Sequence, residues 1–341
     1  MINGKIKVWL PAIRAGSGAD VYTQRLARAL EHHGMVVEIS WFPLRFEPVP
    51  FLLKNTSPPP GTDIVFANSW NAFAFKRAGL PLVVIEHHCV FDPAFRPYQS
   101  MAQDLYHRFL IKPFAMLSFR VANAIIAVSD FTARSLRQNA GLTNVEVIYN
   151  WVDTDIFCPP TENRRIGGPF RLLYIGNPSR RKGADLLATI MRKLGAGFEL
   201  HFTAGLKTEN MACSQTNMVR LGRLSNEQLI CAYQECDALL FPSRFEGFGY
   251  AALEAMACGK PVITSNNTAL PEVVVDGVTG ILCDTDDTEA FANACRLLVD
   301  DPESCSLMGS AGRQRAIELF TESTALKLYL DLIDGLVAKR G

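Results

Sequence analysis

The sequence predicts an α/β protein whose two Rossmann-like parallel-sheet domains face each other across a central cleft. Short apolar runs rich in Val and Ile alternate with longer segments of helical periodicity, and this series occurs twice along the 341 residues. A polar stretch rich in Pro and Gly, Asp153–Pro169, separates the two series and indicates a linker. Strands without polar alternation are buried on both faces, as in a parallel sheet covered by helices.

The first series predicts six strands with helices between them. Helical periodicity is clear over Asp20–Glu31, where four apolar residues share one face. A second helix is expected over Ser129–Asn139, with Ser129 as its N-cap. Strands are expected at Ile6–Leu10, Val36–Ser40, Ile64–Ala67, Leu82–Glu86, Ala124–Val128 and Val145–Tyr149.

The second series predicts five strands, at Arg171–Gly176, Glu199–Ala204, Val219–Leu221, Ala238–Phe241 and Pro261–Thr264. Helices are expected at Ala184–Leu194, Glu227–Glu235, Tyr250–Cys258, Thr288–Asp300 and Ser323–Val337. We therefore divide the chain into domains 1–160 and 161–320 and a final helix within 321–341. Ligands of open parallel sheets bind beyond the carboxyl ends of the strands, so functional residues should follow strands directly.

Composition argues against a nucleic-acid-binding protein, because 34 Lys and Arg balance 34 Asp and Glu. Residues 1–150 nevertheless carry 15 basic and 10 acidic residues, which indicates either an anionic partner or chance surface variation. The nine cysteines form no C-x-x-C pair, so we expect free thiols in a reducing cytosol. The start of the chain predicts a first strand rather than a signal peptide.

No segment of the sequence is long and apolar enough to predict a membrane span. The stretch 96–120, RPYQSMAQDLYHRFLIKPFAMLSFR, mixes basic residues with Tyr, Phe and Leu. It predicts an amphipathic basic helix that lies on an anionic lipid surface, or else core packing beneath a solvated face. We expect a cytoplasmic protein, and the first alternative adds peripheral contact at the inner face of the membrane.

The most informative stretch is Phe241–Val262, FPSRFEGFGYAALEAMACGKPV. A predicted strand leads through a glycine-containing loop into an Ala-rich helix, whose N-terminal N–H groups favour a diphosphate. Glu254 lies about one turn into that helix, where it can accept hydrogen bonds from two ribose hydroxyls, and Glu246 lies before it, within reach of a sugar ring. Either glutamate alone would fit an ordinary surface position, but the whole string favours a functional site.

The string EGFGYAALE resembles the E-x7-E motif of the retaining glycosyltransferases of family 4, which have the GT-B fold. Five further blocks are typical of that family, and they follow in the family's order: YNWVDTDIFCP, LGRLSNEQL, PSRFEGFG, EAMACGKPV and LPEVVVDGVTGIL. The resemblance is densest between 145 and 320. It implies an acceptor-binding domain over 1–160, a nucleotide-sugar-binding domain over 161–320 and a last helix that crosses back to the first domain.

The resemblance also implies roles for individual residues. Glu254 would bind the donor ribose, Glu246 would contact the transferred sugar, and the backbone near Leu224 would contact the base. The backbone of the loop and of the first helical residue would hold the phosphates; these residues are Gly247, Phe248, Gly249 and Tyr250. In the first loop, RAGSGAD, Gly18 would lie near the phosphates and the acceptor.

Cations directly follow a strand in IGNPSRRKG, and a nucleoside-diphosphate leaving group gains negative charge in the transition state. Arg181 and Lys182 are therefore the candidates for stabilising it, with a solvated basic turn as the alternative. Lys182 occupies the family's lysine position, but Asn177 stands where the family usually has Arg. Either Arg180 or Arg181 would replace that arginine.

Two histidines, His87 and His88, follow the predicted strand Leu82–Glu86. The resemblance implies that one of them contacts the donor sugar, and His87 aligns better than His88. The acidic run Asp284–Asp287 predicts the capped start of a helix, so we expect no metal.

We therefore expect a retaining, metal-independent hexosyltransferase-type glycosyltransferase that needs no cofactor beyond a nucleotide-sugar donor. Its acceptor would be a saccharide or lipid-linked hydroxyl in polysaccharide, lipopolysaccharide or glycolipid synthesis, and nucleic acid would not be a partner. The alternative on the same fold is a phosphorylase that uses inorganic phosphate and a disaccharide. An NAD-dependent oxidoreductase is disfavoured because no full GxGxxG follows the first strand. A non-catalytic sugar-nucleotide sensor is disfavoured because binding alone would not need both glutamates and the cationic pair.

Overall fold

The computed structural model describes residues 5–161, 167–203 and 216–339. Within these ranges twelve strands form two sheets. The strands are β1 Lys7–Ile13, β2 Val36–Phe42, β3 Ile64–Asn68, β4 Leu82–Glu86, β5 Ala124–Ala127, β6 Glu146–Val147, β7 Phe170–Tyr174, β8 Phe198–Thr203, β9 Met218–Gly222, β10 Ala238–Phe241, β11 Val262–Ser265 and β12 Gly280–Cys283.

The α-helices alternate with only some of the strands. They are α1 Gly18–His32, α2 Met101–Tyr106, α3 Lys112–Val121, α4 Asp130–Ala140, α5 Ala184–Leu194, α6 Asn226–Glu235, α7 Tyr250–Ala257, α8 Leu270–Val273, α9 Thr288–Asp300, α10 Pro302–Leu319 and α11 Glu322–Ala338. Elsewhere, 3-10 turns connect β2, β3 and β4, and α9, α10 and α11 follow β12 in succession. Ser129 caps α4, as predicted, because its side chain accepts a hydrogen bond from the backbone N–H of Thr132.

The chain divides into two compact units. Unit 1 contains Met1–Asn150 together with Glu322–Gly341, and unit 2 contains Trp151–Thr321. Both sheets are entirely parallel among the described strands, which confirms the predicted α/β fold class. The order is β2-β1-β3-β4-β5-β6 in unit 1 and β12-β11-β10-β7-β8-β9 in unit 2.

The core of unit 1 includes a helix from the far end of the chain. Tyr329 of α11 is fully buried, and its hydroxyl pairs with the hydroxyl of Tyr22 on α1. Its ring also lies edge-on to Phe66 of β3, with 6.0 Å between the ring centroids. Residues 322–338 are therefore part of the unit 1 core.

The stretch 96–120 is not one continuous helix. A 3-10 turn, Pro93–Tyr98, contains Pro97, and α2 begins only after Ser100, which forms a capping box with Gln103. A π-helical turn, His107–Ile111, then separates α2 from α3. Within the described ranges, no helix combines the length and the apolar character needed to cross a membrane.

Candidate active site

Two loops leave the same edge of the unit 2 sheet side by side. β7 and β10 are paired neighbours, so the loop from β7 to α5 lies next to the loop from β10 to α7. The backbone N–H of Arg244 in the second loop donates to the carbonyl of Arg181 in the first, at 2.8 Å. This contact joins the predicted cationic turn to the glutamate-containing loop.

Gly183 makes the close approach of these loops possible. Its φ is +69°, and a Cβ at this position would lie 1.9 Å from the carbonyl oxygen of Pro242. No other residue type fits that space without moving the backbone. The glycine after Lys182 therefore sets the separation of the two loops.

Glu246 lies at the centre of the loop contact and is buried. Its Oε1 accepts hydrogen bonds from Lys182 Nζ at 2.5 Å and from Ser243 Oγ at 2.6 Å, and Arg181 Nη1 lies 3.7 Å away. Arg181 Nη1 also donates to the carbonyl of Phe245 at 2.7 Å. Three of the predicted catalytic residues thus form one cluster around a buried carboxylate, and the Arg181 and Lys182 side chains are 28% and 18% exposed.

The electrostatics of this cluster keep the carboxylate ionised. Burial by itself would raise the pKa of Glu246, but Lys182 and Arg181 outweigh burial and hold that pKa below its usual value. Burial lowers the pKa of Lys182, and the neighbouring Arg181 lowers it further against the opposing effect of Glu246. Two cationic groups thus lie against one buried carboxylate.

The second glutamate of the motif is fixed by a different contact. Gly249, at φ +109°, precedes α7, and Glu254 is buried on that helix. Its Oε2 accepts a hydrogen bond from the Tyr233 hydroxyl at 3.1 Å. Burial raises the pKa of Tyr233 well above its usual value, so this hydroxyl remains a neutral donor. Glu254 is thereby oriented from α6.

Leu224 lies in the turn between β9 and α6. It lines a cavity of about 250 Å³ whose other lining residues include His201, Leu221, Glu227, Gln228 and Cys231. Gly247 and Phe248 lie in the buried loop before α7, and Tyr250 is the first residue of that helix. Unit 2 therefore contains all the residues predicted to bind the donor, except Gly18 and His87.

His87 and Gly18 lie in unit 1. The His87 ring packs edge-on against Tyr22, with 4.7 Å between centroids, and burial lowers its pKa to about 4, so it is neutral at neutral pH. His88 instead contacts Phe95. These contacts distinguish the environments of the two histidines.

Gly18 is the first residue of α1 in unit 1. The loop before it is already engaged: the backbone N–H groups of Ala15 and Gly16 donate to Asp20 at 3.1 and 2.7 Å. A phosphate bound there would compete with this carboxylate.

Several residues of the site were not predicted. Ser243 could have been inferred from its place in the string that contains Glu246. Thr268 accepts a hydrogen bond from the Glu246 backbone, and Arg244 links that loop to Asp185 and Asp286. Arg244 lies in the same string as Glu246, whereas Thr268 is 22 residues from Glu246 along the chain and no motif marks it.

Among the residues that the structure describes, no cluster of His, Cys, Asp or Glu is arranged to hold a metal ion. Asp287, in the acidic run, caps α9 by accepting hydrogen bonds from the backbone of Glu289 and Ala290, as predicted. The eight described cysteines are free thiols. Cys213 lies outside the described residues.

Comparison with known proteins identifies the family. The glycosyl transferases group 1 model matches residues 160–315, and the glycosyltransferase family 4 model matches residues 38–156. The chain is 32% identical over 211 residues to a glycogen synthase of Mycobacterium tuberculosis, covering 59% of this chain and 50% of that protein. It is 28% identical over 247 residues to a D-inositol 3-phosphate glycosyltransferase of Thermobifida fusca, covering 64% and 55%.

Solved structures show the same fold. Sucrose-phosphate synthase from Thermosynechococcus elongatus superposes with a TM-score of 0.81 at 20% identity, over 97% of this chain and 100% of that chain. Anabaena HepE, in complex with UDP and glucose, superposes with a TM-score of 0.77 at 18% identity, over 97% and 100%. The fold is therefore the GT-B fold of nucleotide-sugar glycosyltransferases.

The chain belongs to the group 1, family 4 glycosyltransferases. The two family models together match most of it, and the family-typical blocks read from the sequence fall largely within the matched ranges. The chain spans half to about three-fifths of the length of the curated relatives it matches.

Proposed function

We propose that this protein transfers a hexosyl group from a nucleoside-diphosphate sugar to a hydroxyl acceptor, with retention of anomeric configuration and without a metal cofactor. The observation that carries the proposal is the cluster in which Lys182 and Arg181 lie against the buried Glu246, before the start of α7. Family membership and the likeness to HepE, whose structure holds UDP and glucose, support the same reaction class.

The cluster accounts for departure of the leaving group. The bond between the anomeric carbon and the phosphate oxygen breaks, and negative charge develops on the diphosphate. Lys182 and Arg181 stabilise that charge in a site where their effect is larger than in water. The N-terminal N–H groups of α7 supply further positive potential toward the phosphates.

Other residues bind and orient the donor. Glu254, held by Tyr233, accepts hydrogen bonds from the ribose hydroxyls, and Glu246 accepts them from the transferred sugar. The acceptor oxygen attacks the anomeric carbon from the face that the diphosphate leaves, and the acceptor proton passes to the departing phosphate oxygen. His87, which is neutral at neutral pH, donates a hydrogen bond to the sugar.

The acceptor belongs, on this proposal, to a saccharide or glycolipid at a membrane surface. Met101, Leu105 and Phe109 recur every four residues and are 85%, 51% and 67% exposed. Basic residues accompany this apolar stripe, although Arg108 pairs with Asp104. Exposed apolar side chains beside cations favour an anionic lipid interface, and they support the proposal that the protein contacts the cytoplasmic face of a membrane.

The proposed activity is tested with purified protein, EDTA and the glucose conjugates of UDP, GDP and ADP. One nucleotide at 100 times its dissociation constant should stabilise the fold by about 2.7 kcal/mol, measured as a thermal shift. Lys182→Met should lower the transfer rate about 100-fold or more, because it removes charge stabilisation from the transition state. Glu254→Gln should weaken nucleotide binding. Lys327→Met and Glu303→Gln change exposed residues and are the controls for Lys182→Met and Glu254→Gln.

The outcomes separate the alternatives. Product of retained configuration, formed in EDTA and dependent on a nucleotide sugar, supports the proposal. Disaccharide cleavage that requires inorganic phosphate would instead identify a phosphorylase. If no nucleotide stabilises the wild-type protein, the proposed donor class is wrong.

A further inference from the structure

In unit 2, strained backbone conformations occur at two residues that contact the segment containing Glu246. Among the described residues, only Thr268 and Asp286 have a positive φ without being glycine, at +52° and +70°. Asp tolerates this region moderately well, but a β-branched residue there is a conformational outlier. Such a conformation persists only where the surrounding structure imposes it, and it is typical of functional sites.

Thr268 contacts the main chain of Glu246. The Glu246 backbone N–H donates to Thr268 Oγ1 at 3.1 Å, and Thr268 Oγ1 donates to Asn267 Oδ1 at the same distance. The hydroxyl is therefore oriented as an acceptor toward Glu246. Glycine would adopt the same φ without strain, but it could not supply this acceptor.

Asp286 contacts the same segment through Arg244. Its carboxylate accepts a hydrogen bond from Arg244 Nε at 2.5 Å, and Asp185 holds the rest of that guanidinium with bonds of 2.6 and 2.9 Å. Arg244 lies two residues before Glu246. Both strained residues thus act on one three-residue segment.

The two supporting loops are connected to each other. Thr268 follows β11 and Asp286 follows β12, which are paired neighbours. Asn267 Nδ2 donates to Thr285 Oγ1 at 2.7 Å. A line of hydrogen bonds therefore runs from the Glu246 backbone through Thr268 and Asn267 to the loop that carries Asp286.

We propose that Thr268 is a positioning residue for sugar transfer, whose hydroxyl fixes the backbone of Glu246. This inference rests on the proposed function. Lys182 and Ser243 hold only the Glu246 side chain, and Lys182 must turn toward the diphosphate when the donor binds. The bond to Thr268 is made by the main chain, so it persists in the donor complex and keeps the carboxylate at the sugar.

The test compares Thr268→Ser, Thr268→Val and Thr268→Gly in the full-length protein. Serine keeps the hydroxyl and should keep kcat within about twofold of the wild type. Valine and glycine remove it and should lower kcat about tenfold or more, with a smaller change in KM for the donor, because small displacements of a reacting group are costly. Thr268→Gly should keep its Tm within about 2 °C of the wild type, since relief of strain offsets the lost bond.

Amide hydrogen exchange supplies a readout that needs no donor. The Glu246 amide should exchange faster in Thr268→Val and Thr268→Gly and at the wild-type rate in Thr268→Ser. Unchanged exchange in Thr268→Val, or wild-type kcat in Thr268→Gly, would overturn the positioning role. Wild-type protein that transfers no sugar would contradict the proposed function, while the exchange rates would still decide whether Thr268 holds Glu246.

Discussion

At the scale of single residues, Glu86 is a buried acid that the proposed chemistry does not use. It is the last residue of β4, directly before His87, and it is 2% exposed. Its Oε1 accepts a hydrogen bond from the His88 backbone at 3.3 Å. Burial nevertheless dominates and raises the pKa of Glu86 to about 7.

This shift predicts a dependence of stability on pH. A raised carboxyl pKa gives stability that is complete below the ordinary pKa of about 4.5 and is lost as pH rises through about 7. Glu86→Gln, which keeps an acceptor for His88, should match the wild type near pH 4.5 and be more stable by about 3 kcal/mol at pH 8. Chemical unfolding at both pH values measures this difference.

The exposed variant Glu31→Gln is the control for the loss of one negative charge. If Glu86→Gln and Glu31→Gln change stability equally at pH 4.5 and pH 8, the Glu86 carboxyl does not titrate as its burial indicates.

Sequence motifs identify residues that lie within the motif-bearing loops. They do not identify residues that contact those loops from distant parts of the chain. Glu246 and Lys182 belong to strings with recognisable spacing, although they are 64 residues apart. Thr268 and Asp286 carry no motif that links them to Glu246, since the pairing of β10 with β11 and of β11 with β12 brings them to its loop. A strained φ angle also has no recognisable signal in the sequence.

At the scale of elements, strands were easier to predict than the irregular helical turns. β3 and β4 are uninterrupted apolar runs, and the structure places them almost as predicted. The π-helical turn His107–Ile111 has no distinct signal, because its apolar residues also fit α-helical spacing. A π-helical turn is wider than an α-helical turn, and its formation here depends on how α2 and α3 pack in unit 1.

The exposed stripe on α2 and the π-helical turn predicts membrane affinity. Replacing Met101, Leu105 and Phe109 together by Ser should lower partition onto phosphatidylglycerol-containing vesicles about tenfold or more, because three apolar side chains no longer enter the interface. Vesicle sedimentation measures the bound fraction.

A matched control replaces Leu297 and Leu307, which are exposed on α9 and α10 of unit 2, by Ser. If this control loses as much vesicle binding as the stripe variant, or if the wild type does not bind vesicles, the stripe is not a membrane contact.

At the scale of the whole molecule, unit 1 is built from two separate stretches of chain. Tyr329 and Ile333 of α11 are completely buried within it. The pairing of Tyr329 with Tyr22 further ties α11 to α1, the helix that packs Tyr22 against His87. Stability of unit 1 therefore depends on residues that follow all of unit 2.

Removing residues 322–341 should destabilise unit 1 by more than about 5 kcal/mol, because at least two large buried side chains are lost. Unit 2 should keep its own unfolding transition, measured by calorimetry. Tyr329→Phe, which removes only the hydroxyl pair, should cost about 1 kcal/mol. A truncated protein in which both transitions are unchanged would show that α11 does not stabilise unit 1.

The discontinuity of unit 1 also determines the order of events during synthesis. Translation at about 5–20 residues per second means that unit 1 waits roughly 10 to 40 s for α11 after residue 150 has been added. Unit 2 is a continuous segment and can complete its core first. The part of the protein that is made first is therefore the part that completes its core last, and until then the surface that α11 covers stays exposed.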